Sequence, residues 1–161
     1  NEVHYEGELA VVIGRICRDV PPERVADVIF GYTVANDVSA RDLQKSDVQW
    51  GRAKGFDTFC PLGPWIATHL TVDEASDLEI VTTVEHADGT RVEGQRASTQ
   101  LMMRGVSELV QFVSSFCTLL PGDVILTGTP AGVGPIVPGD RVEISIEGIG
   151  TLSNPVVAQD A

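Results

Sequence analysis

Near the start of the chain apolar and polar positions alternate: Val3, Tyr5, Leu9, Val11 and Ile13 share one parity, Glu6 and Glu8 the other. A period of two predicts a β-strand, because successive strand side chains point to opposite faces. The predicted strand ends near Gly14. Residues two apart on it are separated by about 6.6 to 6.8 Å, so Glu6 and Glu8 face one pocket while the odd positions pack. Gly7 interrupts the apolar face and lets backbone or ligand approach closely.

Further along, Pro21, Pro22 and Glu23 open a predicted helix, with Val25, Val28 and Ile29 spaced to cover a core and Gly31 as its stop. Residues 32–38 read as a second strand, which puts Asp37 at its end. Ser39 and Asp42 have the spacing of a capping box opening a short helical turn. Arg41 and Gln44, four and seven residues beyond Asp37, fall on one side of that turn. Residues 50–65, rich in glycine, proline and aromatics, read as a loop leading to a strand from Trp65, and Lys54 lies in that loop among small and apolar neighbours. Residues 78–85 alternate as a strand, His-Ala-Asp-Gly at 86–89 is a hairpin turn, and 90–93 return. Within 107–117, Leu109, Val110, Val113 and Phe116 recur at helical spacing, which predicts one amphipathic helix. Pro-Gly-Asp at 121–123 and again at 138–140 turns into strands at 124–127 and 141–147, and Gly148 and Gly150 mark the turn to the last strand. The sum is a strand-rich α+β domain with two or three short helices.

Composition narrows the class. A chain of 161 residues fits one domain, long enough to bury roughly two thirds of its unfolded surface around a single core. Its net charge of -12 argues against nucleic acid and anionic membrane surfaces as partners. No apolar run reaches the roughly 18 to 20 residues that span a bilayer, and the first residues do not resemble a signal peptide, so a cytoplasmic protein is expected. Cys17, Cys60 and Cys117 are odd in number and lack a Cys-x-x-Cys spacing. They are read as reduced, buried thiols rather than a disulfide framework or a zinc site.

The candidate chemistry centres on Glu6, Glu8 and Asp37 as a divalent-metal site. The plainer alternatives are a solvated strand face for the two glutamates and a turn cap for Asp37. Arg41 has Asp42 or Glu8 as ordinary ion-pair partners, and Gln44 and Lys54 have simple surface readings. His4 shares the face of Glu6 and Glu8, whereas His69 and His86 read as loop residues. Gly-Thr-Pro-Ala-Gly-Val-Gly at 128–134 lacks the Gly-Lys-Ser/Thr ending and a following helix, so it is not read as a nucleotide loop.

Four segments in order, Tyr-Glu-Gly-Glu-Leu-Ala-Val-Val-Ile-Gly at 5–14, Asn-Asp-Val-Ser-Ala-Arg-Asp-Leu-Gln at 36–44, Ala-Lys-Gly-Phe-Asp-Thr at 53–58 and Leu-Thr-Gly-Thr-Pro-Ala-Gly-Val-Gly at 126–134, resemble the fumarylacetoacetate hydrolase family. The resemblance implies a mixed β-sandwich or β-roll, a homodimer, and Mg²⁺ or Mn²⁺ held by Glu6, Glu8 and Asp37. All-oxygen ligands suit such a hard ion. It further implies action on small oxo- or enol-carboxylates: C–C bond hydrolysis of the fumarylacetoacetate or acylpyruvate type first, with hydroxymuconate-type isomerisation or oxo-acid decarboxylation as alternatives. In those terms Lys54 supports the developing enolate, Arg41 and Gln44 hold the far end of the substrate, and Thr129 donates to its carboxylate. A non-catalytic metal-binding or dimerisation module is the reading from another class. Hydrolytic members carry an upstream His-x-x-Glu pair that activates water, and none of His4, His69 and His86 has a glutamate three residues on. Either the protein lacks the general base for hydrolysis or, the favoured expectation, 1–161 is a catalytic domain whose water-activating lid segment precedes Asn1 in the intact protein.

Overall fold

The structure, a computed structural model, describes residues 2–158. The expectation about what precedes Asn1 falls outside them. In chain order the strands are β1 (Val3–His4), β2 (Gly7–Ile13), β3 (Ile29–Asn36), β4 (Ser39–Ala40), β5 (Leu62–Ala67), β6 (Glu79–Glu85), β7 (Arg91–Ser98), β8 (Val124–Leu126), β9 (Arg141–Ile146) and β10 (Gly150–Pro155). The α-helices are α1 (Val25–Val28), α2 (Arg41–Ser46), α3 (Gly51–Lys54), α4 (Val72–Ala75) and α5 (Val106–Phe116). Among the described residues only α5 exceeds two turns, so the strand-rich α+β expectation holds, with more helical turns than expected.

The ladders build two four-stranded antiparallel sheets, ordered β10-β9-β6-β7 and β5-β3-β2-β8, plus a two-stranded ribbon of β1 and β4. The sheets stack as a sandwich, β6 on β2, β9 on β3 and β10 on β5. Leu9, Val11, Ile13, Tyr32 and Val34 from one sheet meet Ile80, Val84, Val142, Ile144 and Ile146 from the other in one continuous core. Helix α5 closes it with Val106 and Val110, four residues apart and nearly inaccessible.

Several sequence expectations shift here. The helix expected from Pro22 is one 3-10 turn, Pro22–Arg24, followed by the single turn α1. The chain then runs as β3 through Gly31, the expected stop, because the ladder pairs Gly31 with Val12. Ser39 does not cap α2: its hydroxyl donates to the Asp37 carbonyl at 2.9 Å, and Ala40 sits at the cap. Lys54 ends the short helix α3 rather than lying in a loop, and β5 starts at Leu62, before Trp65. On α5, Phe116 points outward at 60% exposure against the ring of Phe112, because Val106, Val110 and Ser114 take the buried stripe. The three cysteines are free but only partly buried. The two Pro-Gly-Asp turns are one local device used twice. Asp123 accepts from the Leu120 N–H at 2.7 Å and Asp140 from the Val137 N–H at 2.9 Å.

Candidate metal and substrate site

Backbone pairing brings the carboxylates together. The antiparallel ladder sets Gly7 opposite Asn36, which places the residue before β2 beside the residue after β3. Two further bonds tie that corner: the Glu6 N–H donates to Asn36 Oδ1 at 2.9 Å and the Asp37 N–H to the Glu6 carbonyl at 2.9 Å. Glu8, one residue into β2, projects to the same side as Glu6, while Leu9, Val11 and Ile13 enter the core. As a result one carboxylate oxygen from each of Glu6, Glu8 and Asp37 lies within 4.8 Å of the others. Both glutamates are buried and Asp37 is partly so. The solvated strand face and the simple turn cap are therefore ruled out as descriptions of these residues.

Two cations face the cluster. Lys54 Nζ donates to Glu6 Oε2 at 2.8 Å and to Asp37 Oδ2, carried there by α3, whose Ala53 is fully buried. Arg41 contacts Glu6 Oε1 at 2.6 Å and donates through its other terminal nitrogen to Gln44 Oε1 at 2.8 Å. Arg41 and Gln44 thus share one side of α2 as expected, and the ion-pair partner of Arg41 is Glu6 rather than Asp42 or Glu8. From the glycine-rich loop the Gly128 N–H donates to Glu8 Oε2 at 2.7 Å. Thr129 donates its hydroxyl to the Gly7 carbonyl at 2.9 Å. His4 is mostly buried on the β1–β4 ribbon, with Nε2 3.3 Å from Glu2.

Burial and mutual repulsion govern the protonation of the cluster. Burial, opposed by the Gly128 N–H and reinforced by the charges of Asp37 and Glu6, pushes Glu8 up to about 7. Asp37 is also raised, by burial first, although its bond to Lys54 pulls the other way. Lys54 is raised because its bonds to Asp37 and Glu6 outweigh the cost of its own burial. The site holds three carboxylates against two side-chain cations. Hard oxygen donors converging with uncompensated negative charge are the chemistry that fits Mg²⁺ or Mn²⁺.

This has a consequence for stability. In the unfolded chain Glu8 ionises near its ordinary 4.5, but in the folded, metal-free protein it stays protonated up to about 7. Folding therefore carries a penalty that is absent below pH 4.5, grows through that interval and is complete above it. Its size is on the order of 3 kcal/mol at about 1.36 kcal/mol per pKa unit. Glu8→Gln removes the titration. With chelator-treated protein, the unfolding midpoint of the variant is expected to gain on wild type as pH rises from 4.5 to 7. A constant difference across that interval would place the titration on another group.

Two supporting residues carried no signal in the sequence pattern. Asn36 is buried and holds Glu6 through its side chain. Gln95 on β7 is 2% exposed, and its amide bonds Gly7, Thr82, Thr129 and Pro130. The glycines follow from the same packing. A Cβ on Gly7 would lie 2.3 Å from Thr82 Oγ1, so it is protein rather than ligand that approaches there. Gly132, at φ +103°, would put a Cβ 2.0 Å from the Gly94 carbonyl. The glycine-rich loop is thus shaped to pack on β7 and to aim Gly128 at Glu8.

The fold is an antiparallel β-sandwich that carries a carboxylate and cation cluster at one strand corner. The chain belongs to the fumarylacetoacetate hydrolase family: the family's C-terminal sequence model matches residues 1–157. A Mycobacterium tuberculosis relative, protein Rv2993c, is 60% identical over 155 residues, which are 96% of this chain and 57% of that one. The solved structure of 5-carboxymethyl-2-hydroxymuconate delta-isomerase from Mycobacterium smegmatis is 58% identical with a TM-score of 0.92, covering 100% of this chain and 61% of that chain. Maleylpyruvate hydrolase from Sphingobium sp. SYK-6, solved with manganese(II) and pyruvate, is 40% identical with a TM-score of 0.85, covering 97% of this chain and 55% of that chain. The chain therefore spans less than two thirds of the length of these proteins. Among the described residues no helix is long and apolar enough to cross a membrane.

Proposed function

We propose that this chain is the catalytic domain of a divalent-metal-dependent enzyme acting on a small oxo- or enol-carboxylate, with hydrolysis of a C–C bond as the leading reaction. The observation that carries the reading is the convergence of Glu6, Glu8 and Asp37 oxygens within 4.8 Å beside Lys54 and Arg41. Glu6, Glu8 and Asp37 would hold Mg²⁺ or Mn²⁺, which supplies a Lewis acid that polarises substrate oxygens. The relative solved with manganese(II) and pyruvate supports both the ion and a 2-oxo carboxylate ligand.

Charge sets the substrate class. With all three carboxylates ionised, the two cations leave one net negative charge; with a dication in place the site carries one net positive charge, matched to a carboxylate. Lys54, at the edge of the cluster, stabilises negative charge that develops on a substrate oxygen as a carbon–carbon bond breaks or a proton moves. Arg41 and Gln44, already bonded to each other, present a planar donor group to the far carboxylate of a dioate. Thr129 turns its hydroxyl from Gly7 to the near carboxylate. The water-activating pair that hydrolysis requires is assigned to the part of the whole protein beyond this domain, consistent with relatives much longer than the chain. Isomerisation of a hydroxymuconate-type dienoate is the second reading, favoured by the 58% identity to the Mycobacterium smegmatis isomerase. A homodimer is proposed as the working form.

A panel of acylpyruvates, fumarylacetoacetate, oxaloacetate and hydroxymuconate-type dienoates, assayed on the whole protein with Mg²⁺ and with Mn²⁺, tests the proposal. Metal-dependent turnover of an acylpyruvate or fumarylacetoacetate is expected. Turnover confined to the dienoates would replace hydrolysis by isomerisation, and no metal-dependent turnover at all would remove the enzyme reading.

A further inference from the structure

We infer that Gln95 is a positioning residue that sets the spacing of the Glu6 and Glu8 carboxylates by holding the Gly7 peptide between them. The inference rests on the metal-site reading above and goes one layer behind it. Gln95 Oε1 accepts from the Gly7 N–H at 3.1 Å and from the Thr82 hydroxyl at 2.8 Å. Its Nε2 donates to Thr129 Oγ1 at 2.8 Å and to the Pro130 carbonyl at 2.9 Å. The amide has two acceptor sites and two donors, and all four are used.

Two of those bonds close a ring with a third, from Thr129 to Gly7. Gln95 takes the Gly7 N–H and donates to Thr129, and Thr129 donates to the Gly7 carbonyl. Both polar groups of the one residue between Glu6 and Glu8 are thereby fixed. The same amide pins the loop whose Gly128 N–H reaches Glu8, so two of the strand's determinants of carboxylate position meet at one side chain. When Thr129 leaves Gly7 for a substrate, Gln95 alone retains the Gly7 N–H.

The strand is built to deliver this group inward. Thr82 pairs with Gln95 and Thr83 with Glu93, leaving Gly94 as an extra residue in β7. Such a bulge re-aims the side chains on one side of it. Without it Gln95 would share the outward face of Glu93. A buried amide is tolerated in a core only when its polar atoms are paired, and these four bonds pair all of them.

The test uses manganese(II) alone as probe, titrated calorimetrically into chelator-stripped protein, with the unfolding midpoint of each stripped variant measured in parallel. Gln95→Met keeps the volume and removes all four bonds; it is expected to weaken Mn²⁺ binding tenfold or more, the range found when groups that orient metal ligands are removed. Gln95→Glu keeps an acceptor for the Gly7 N–H and is expected to stay within about threefold of wild type, even though a buried carboxyl destabilises the fold at least as much. Val110→Ala, in the core at α5, should lower the midpoint with Mn²⁺ affinity within twofold. If Gln95→Met does not fold, Gln95→Asn, which withdraws the acceptor by one methylene, is held to the same criterion. Binding within twofold of wild type in the Met or Asn variant would overturn the inference, as would affinities that simply track stability across all variants. A wild-type protein that binds no Mn²⁺ would overturn the metal-site reading itself and this inference with it.

Discussion

Asp37→Ala is expected to abolish the stabilisation that Mg²⁺ or Mn²⁺ gives the protein while leaving the metal-free protein folded. Binding to the native state alone raises stability by about 2.7 kcal/mol at a ligand concentration one hundred times Kd. For a domain of this size that corresponds to a rise in Tm of about 5 to 10 °C, at about 2 to 4 °C per kcal/mol. Asp37 supplies one of three converging oxygens and the net negative charge of the cluster. Without it Glu6 and Glu8 face Lys54 and Arg41 as a neutral set, with one ligand fewer. The cost to the metal-free fold is small, because burial already disfavours the ionised Asp37 and Lys54 keeps its 2.8 Å bond to Glu6. Thermal scans of wild type and variant with and without each ion separate the two effects. A variant that keeps the wild-type shift would move the ion away from these three residues.

Much of this site was legible because its key residues obey local rules. Glu6 and Glu8 announce themselves by parity on a strand whose other parity is apolar, and β2 does send Leu9, Val11 and Ile13 into the core. Asp37 sits beside them because β3 pairs with β2 as a neighbouring strand in sequence, the commonest topology. The hairpin at His86 and the helix around Val110 follow their turn and periodicity signals.

What escaped the sequence depends on tertiary contact. The four residues of α3 are too few to be helical on their own, since nucleation costs more than one turn returns. Their helix exists because Ala53 is buried and Lys54 is drawn to Glu6 and Asp37. Gln95 sits beyond the bulge, where the period of two slips by one, so nothing in the local pattern marks it as inward-facing. Phe116 obeys helical spacing yet is exposed because Ser114, a small residue whose hydroxyl accepts the Val20 N–H at 3.1 Å, takes the buried position two residues earlier. In each case the local pattern was present and a neighbouring strand or loop decided its meaning.

Lys54→Met is expected to lower kcat of the whole enzyme by about 100- to 1,000-fold, the usual loss when one preorganised electrostatic donor is removed, while Mn²⁺ affinity holds or rises. The two effects point in opposite directions because the proposed function gives Lys54 two parts. In the structure its ammonium bridges Glu6 and Asp37 and so competes with an ion for the same oxygens. Removing it leaves those carboxylates without a cation, which costs the metal-free fold about 1.5 to 3 kcal/mol, the range for a hydrogen bond to a charged group. The same loss makes the vacated oxygens better ligands. In the proposed mechanism a dication then restores the charge balance but cannot replace the positive charge that Lys54 would hold beside the reacting oxygen. Steady-state kinetics, Mn²⁺ titration and unfolding of the metal-free variant together test the assignment. If kcat and metal affinity fell by equal factors, Lys54 would be a strut of the ligand cluster rather than a participant in the reaction.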